Sequence, residues 1–189
     1  MTEQEADLTE SSSPAGPSHL KQGLLPIIGS APVVLVLGSF PSAQARAAGA
    51  YYANPRNHFW PIIEELFGIP RVLPYSERVR LLAVRQVALW DMVDSCSQEG
   101  SMDSTIQEPA LNDVRGLLAA HPTIRLVAAN GRTAERFLKR SLGGMGPPPG
   151  VTVVSLPSTS PANARESFQK KVLRWQVIRD YAVPFDREV

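Results

Sequence analysis

Four short apolar runs punctuate the chain, at residues 33–37, 87–90, 124–129 and 151–156. Each is aliphatic and partly β-branched, without polar alternation, which predicts strands covered on both faces. Each also stops at a turn or polar signal: Gly38-Ser39-Phe40-Pro41, Asp91, Asn130-Gly131 and Pro157. Between and after them lie helical patterns at 59–67, 76–84, 109–120 and 133–142. In a last helix, Phe168, Val172, Trp175 and Ile178 recur every three or four residues, while Arg165, Lys170, Lys171, Arg174 and Arg179 fall mostly elsewhere. Strands alternating with helices predict a three-layer α/β/α fold around a central four-stranded parallel sheet. The Gly/Pro-rich stretch 143–150 reads as a loop, and no internal repeat is visible.

The opening segment breaks this rhythm. It is polar, acidic and rich in Ser and Pro, so residues 1–22 are expected to form a disordered tail and 23–189 a single domain. The net charge of +1 conceals the division: Glu3, Glu5, Asp7 and Glu10 lie in the first 20 residues, which hold no Lys or Arg. The remainder therefore carries +5, with 19 basic and 14 acidic residues. That excess permits a polyanionic partner without demanding one. The single Cys96 excludes an intrachain disulfide, and three scattered histidines show no metal-ligand spacing, so no metal or cofactor is expected. The opening residues lack the basic-then-apolar pattern of a secretory signal, and no apolar stretch approaches membrane-spanning length. An intracellular, cytoplasmic protein is expected, nucleoid-associated if bacterial, and nothing demands more than a monomer.

In an open parallel sheet, ligands bind beyond the carboxyl ends of the strands. The residues closing the four runs are therefore the candidates for chemistry. The first loop continues into Tyr51-Tyr52-Ala53-Asn54-Pro55-Arg56-Asn57-His58-Phe59-Trp60, which combines aromatic rings, two amides, a histidine and an arginine without a regular period. Rings that stack and amides that read an edge suit a flat heterocycle. The alternative is a core helix beginning at Phe59 and Trp60 with Asn57 as its cap; for Trp60 the core role is favoured. The fourth run leads into Pro157-Ser158-Thr159-Ser160-Pro161-Ala162-Asn163. Neither a Gly-x-x-x-x-Gly-Lys nor a Gly-x-Gly-x-x-Gly loop appears, which argues against a nucleotide enzyme of those types.

The string Leu37-Gly38-Ser39-Phe40-Pro41-Ser42, with the Tyr51–Trp60 segment after it, resembles the signature of the hypoxanthine-DNA glycosylase branch of the uracil-DNA glycosylase superfamily. Leu156-Pro157-Ser158-Thr159-Ser160-Pro161-Ala162-Asn163 resembles its second motif, and the likeness runs in order through residues 32–182. Two positions depart from better-known members. Phe40 stands where those enzymes carry an Asp or Asn that acts on the attacking water, and Leu156 where many carry a His. The resemblance implies that the catalytic amide has moved into the Tyr-Tyr segment, with Asn57 the candidate and Asn54 the alternative.

It also implies a reaction: hydrolysis of the N-glycosidic bond of a deaminated base, hypoxanthine or uracil, flipped out of DNA for base-excision repair. Asn57 would hold the water. Ser39, Phe40, Tyr52 and Phe59 would surround the base, and Asp91, where the superfamily usually places an Asn, would read its edge. The competing role for Asp91 is a helix cap or ion pair. Arg56, Ser158, Ser160, Asn163 and Arg165 would contact DNA, although Ser and Asn side chains also stabilise turns. Arg132 is a further backbone candidate and Asp103 a further pocket candidate. Lys21, Lys139, Lys170 and Lys171 all lie outside the motif loops, so hydrolysis without a lysine Schiff base, leaving an intact abasic site, is expected. A binding module that retained the fold and lost catalysis remains the alternative.

Overall fold

The structure, a computed structural model, describes residues 20–182. In chain order the elements are β1 (Lys21–Gln22), β2 (Val34–Gly38), α1 (Ala43–Ala48), α2 (Phe59–Phe67), α3 (Tyr75–Val84), β3 (Val87–Asp91) and β4 (Val93–Gln98). They continue with β5 (Ile106–Leu111), α4 (Val114–Ala120), β6 (Leu126–Asn130), α5 (Arg132–Leu142), β7 (Thr152–Leu156) and α6 (Phe168–Tyr181). The four expected strands form one sheet in the order β3-β2-β6-β7, every neighbouring pair parallel.

Strand alternation divides the core into two layers. Val34 and Val36 of β2, with Leu89, Leu126 and Ala128, face a cluster built with α2 and α6, including Phe59, Ile62, Ile63, Trp175 and Ile178. Leu35 and Leu37 point to the other face, among Val114, Leu118, Ala134, Phe137 and Leu138 of α4 and α5. Both faces of β2 are thus sealed, and all five of its residues are buried. That is the reason its sequence shows no polar alternation.

A second, three-stranded sheet in the order β1-β4-β5 was not expected. Lys21 and Gln22, assigned by composition to the tail, pair antiparallel with Cys96 and Ser95, while most of the expected tail, residues 1–19, lies outside the described residues. β4 reads Val-Asp-Ser-Cys-Ser-Gln, too polar to announce itself, yet Ser95 and Gln98 are buried in it. The expected helix 109–120 is corrected to strand β5 followed by a shorter α4. Asp113 caps α4, its side chain accepting from the Gly116 amide, and Pro109 belongs to the strand before it. Proline is tolerated there because β5 is an edge strand whose register shifts around it, with Glu108 at φ +46°.

Candidate active site

β2 ends at Gly38 beside Asp91, the last residue of β3, and their backbones are in register. A Cβ on Gly38 would collide with Asp91 Oδ1, so the bare glycine is what lets the carboxyl lie against the strand end. Asp91 is only 3% exposed, and its Oδ2 has no hydrogen-bond partner among the described residues. Its backbone oxygen accepts from Asn112 Nδ2 at 2.9 Å. Burial, and then the negative charge of Asp103, push the carboxyl up to about 7. Of the two alternatives for Asp91, an ion pair finds no support: the ion pairs among the described residues join Arg71–Glu64, Arg80–Glu77 and Lys139–Glu135.

Tyr52 stands over this strand end. It takes a left-handed backbone (φ +56°), which is costly for a bulky residue and here is secured by its ring. That ring stacks on Phe59 with centroids 3.9 Å apart, and its hydroxyl accepts from Asn130 Nδ2 at 3.3 Å. Burial and the neighbouring Asp91 hold the Tyr52 phenol far above its ordinary range, so it acts as a neutral hydroxyl. Phe59 is fully buried. It supports Tyr52 from below and meets Trp60 and Trp175 edge-on, and so has no free face for a ligand. Trp60 is likewise core, its Nε1 donating to the Tyr51 carbonyl at 3.1 Å.

The two loop motifs are joined directly. Asn130, closing β6, donates from Nδ2 to Thr159 Oγ1 and accepts at Oδ1 from the Thr159 amide, both at 2.9 Å. The Thr159 carbonyl accepts from the His58 amide at 2.9 Å. Thr159 is wholly buried and was not singled out from the sequence, although its place inside the second motif could have drawn notice. Asn130 was recognised only as a strand terminator, the same position in the fold that made Asp91 a candidate.

Asn57 is half-buried in front of α2. Its Oδ1 accepts from the Phe59 amide at 2.9 Å, the helix-starting contact weighed for it, while among the described residues its Nδ2 donates to nothing. Asn54 Oδ1 accepts from the Arg56 amide at 2.9 Å. Ser39 is buried, and its hydroxyl donates to Asp103 Oδ1 at 2.6 Å, which brings the sequence-distant Asp103 to the same strand end. Phe40 is buried on the α4–α5 face of the sheet, with the Arg46 guanidinium 5.1 Å above its ring.

In the second motif the polar side chains serve the turn itself. Ser158 Oγ accepts from the Ser160 amide, Ser160 Oγ from the Ala162 amide, and Asn163 Nδ2 donates to the Ser158 carbonyl. Arg56, Arg132 and Arg165 are exposed.

One lysine was misjudged. Lys171 lies on the buried stripe of α6, one turn before Trp175, and is fully buried. Its Nζ donates to the Asn163 carbonyl at 2.9 Å, so it reaches the second motif after all. Burial lowers its affinity for a proton. His58, whose Nδ1 is buried without a partner among the described residues, is held below the usual histidine range by burial and by Lys171. Trp175 Nε1 donates to the Pro157 carbonyl at 3.0 Å, so α6 grips the second motif at two points.

The sequence profile of the uracil DNA glycosylase superfamily matches residues 26–181. The chain is similar to the hypoxanthine DNA glycosylase of Methanosarcina acetivorans, 33% identical over 160 residues that cover 84% of this chain and 98% of the relative. It is also similar to the hypoxanthine DNA glycosylase of Methanosarcina barkeri, 29% identical over 126 residues, 65% of this chain and 80% of the relative. Among solved structures it matches the solution NMR structure of a candidate uracil DNA glycosylase from Methanosarcina acetivorans, with a TM-score of 0.70 and 31% identity, over 84% of this chain and 98% of that one. The matched region includes the whole parallel sheet and both loop motifs, and the chain belongs to the uracil DNA glycosylase superfamily.

Proposed function

We propose that the protein is a monofunctional DNA glycosylase that hydrolyses the N-glycosidic bond of a deaminated base, hypoxanthine or uracil, flipped out of DNA. The observation that carries this reading is the convergence of Asp91, Tyr52 and Asn130 at the carboxyl ends of the parallel sheet, in a chain similar to named hypoxanthine DNA glycosylases. A ring, a neutral hydroxyl and a buried carboxyl provide what an extruded heterocycle requires: a face to lie against and edge groups to pair with.

Asn57 is the proposed water-holding amide. Bond cleavage leaves oxocarbenium-like charge on the sugar, and water held in line by a fixed dipole needs no strong base. Its Oδ1 accepts one bond from the Phe59 amide, and the second lone pair of Oδ1 together with Nδ2 is proposed to meet water or sugar. Ser39 and Phe40 flank the base at the strand end, with Phe59 acting through Tyr52. Arg56, Arg132 and Arg165 are proposed to meet phosphates, whereas Ser158, Ser160 and Asn163 shape the loop that does so. Lys171 Nζ is engaged by the Asn163 carbonyl, which supports hydrolysis without a lysine Schiff base.

The test is release of free base from oligonucleotides containing hypoxanthine, uracil or xanthine, at enzyme excess. Wild type should release at least one of them. Asn57→Ala removes the whole amide, including the acceptor for the Phe59 amide; with folding verified by thermal melting, it should lose on the order of 100-fold or more in single-turnover rate. Retained rate with normal binding would remove Asn57 from the mechanism. Salt-dependent binding without release of any base would instead indicate a binding module of the same fold.

A further inference from the structure

Asp91 presents a problem that its neighbours do not resolve. A carboxyl this deeply buried, with one oxygen unpartnered, should be paired with a cation or be neutral. The groups that face it are tyrosines and another acid. Tyr51 and Tyr52 approach from the first motif loop and Tyr75 from α3, and all three phenols are held above their ordinary range in part by Asp91. Asp103 approaches from the turn between β4 and β5, and is tied by Ser39, the residue after Gly38. Among the described residues, the strand end therefore assembles two carboxyl groups, one from β3 and one from the β4–β5 turn, with no ion pair to a lysine or arginine.

We propose that Asp91 reads the base as a neutral acid, its hydroxyl donating to the carbonyl of a lactam edge and its carbonyl accepting from the adjacent ring N–H, with Asp103 as the positioning residue that keeps the proton there. The proposal rests on the glycosylase reading above. A carboxylate offers only acceptors and would repel the lactam oxygen, whereas the acid matches both atoms at once, as the side-chain amide of an asparagine does. Hypoxanthine, xanthine and uracil share this –NH–C=O edge, so the ligand class is lactam-edged bases rather than one base. Ser39 contributes by fixing the second charge, and the shortness of its 2.6 Å bond is what a charge-assisted contact requires.

A neutral reader ties binding to pH. Base release should be constant on the acid side and decline about tenfold per pH unit once Asp91 ionises, near pH 7 in wild type. Asp103→Asn keeps the contact with Ser39 and removes the charge, so the decline should begin roughly one unit lower. Asp91→Asn, which cannot ionise, should show no such decline, whatever its absolute rate.

The experiment pairs kcat/KM against pH for these three proteins with the 13C carboxyl titration of Asp91 in the free wild type and in Asp103→Asn. A midpoint near neutrality that falls in Asp103→Asn, matched by the kinetic decline, is the expected result. An Asp91 titrating in the ordinary carboxylate range, an unmoved midpoint in Asp103→Asn, or a persisting decline in Asp91→Asn would each overturn the inference while leaving a working glycosylase. Wild type that releases no base at any pH would overturn the glycosylase reading, and the base-reading role with it.

Discussion

At Gly38 the backbone and the Asp91 carboxyl occupy adjoining space, and a methyl group has nowhere to go. Gly38→Ala meets a buried Asp91 oxygen on one side and approaches the Tyr52 hydroxyl to 3.6 Å on the other. Overpacking of this kind typically costs about 1–3 kcal/mol. The expected outcome is a folded but destabilised protein with base release reduced more than tenfold, checked by thermal melting and single-turnover assay. Asp91 itself carries a stability signature. Its carboxyl is raised from 3.8 to about 7 on folding, so the folded state holds the proton more tightly than the unfolded chain does. Stability is therefore greatest below pH 3.8 as far as this group is concerned, and declines as pH rises towards 7. Asp91→Asn removes that penalty, and its gain in stability should be about 2 kcal/mol larger at pH 8.5 than at pH 5.5, read from denaturant curves at the two pH values. Equal gains at both would mean the carboxyl is not perturbed. Parts of this strand end were readable in the residues: Ser39 and Asp91 were marked by their places at strand ends, and Tyr52 by its aromatic-rich loop and the family resemblance. The pairing of Ser39 with Asp103, 64 positions later, was not, because nothing local connects a strand end to a polar turn in another sheet. Phe59 took the core role that stood as its alternative, since an aromatic residue at a helix start can be read as either core or site.

Among the elements, α6 determines where the second motif sits. Trp175 and Lys171 occupy successive turns of its buried face and donate to the carbonyls of Pro157 and Asn163, at the two ends of that loop. Trp175→Phe preserves most of the apolar area and removes one donor. It should cost roughly 1–3 kcal/mol, since the Pro157 carbonyl is left unsatisfied, and should raise KM more than it lowers kcat if the loop contacts DNA. Steady-state kinetics on a lesion-containing duplex provide the check. The same helix shows where periodicity succeeds and fails. The aromatic stripe was visible at three- and four-residue spacing, but Lys171 falls on it and was counted with the solvent face, because a lysine is rarely buried without a partner. The four parallel strands were legible because both their faces are apolar. β4 and β5 were not: β4 is polar, with Gln98 donating only to the nearby Met102 carbonyl among the described residues, and Pro109 next to Ala110 and Leu111 merges with the apolar period of α4.

For the molecule as a whole, the division of charge has a measurable effect. Residues 1–19 include four acidic side chains and no Lys or Arg, so the remaining chain carries +5 where the full chain carries +1, histidine taken as neutral. Deleting residues 1–19 should strengthen DNA binding by severalfold at low salt, with the advantage vanishing towards high salt as screening removes it; affinities measured across a salt series would show this. Equal affinity of the two forms at low salt would mean the segment's charge does not reach the DNA. No helix of the described residues is long and apolar enough to cross a membrane.

The bonds that join the two motifs also impose a schedule on synthesis. His58 and Asn130 find their partner in Thr159, and the loop bearing Thr159 is held at its two ends by α6. A nascent chain displays the first motif long before the ribosome has delivered the helix that completes the site, since chains emerge and fold from the amino terminus. The unfinished protein thus carries the first motif without the second, and the two loops come together only when the closing helix has been made.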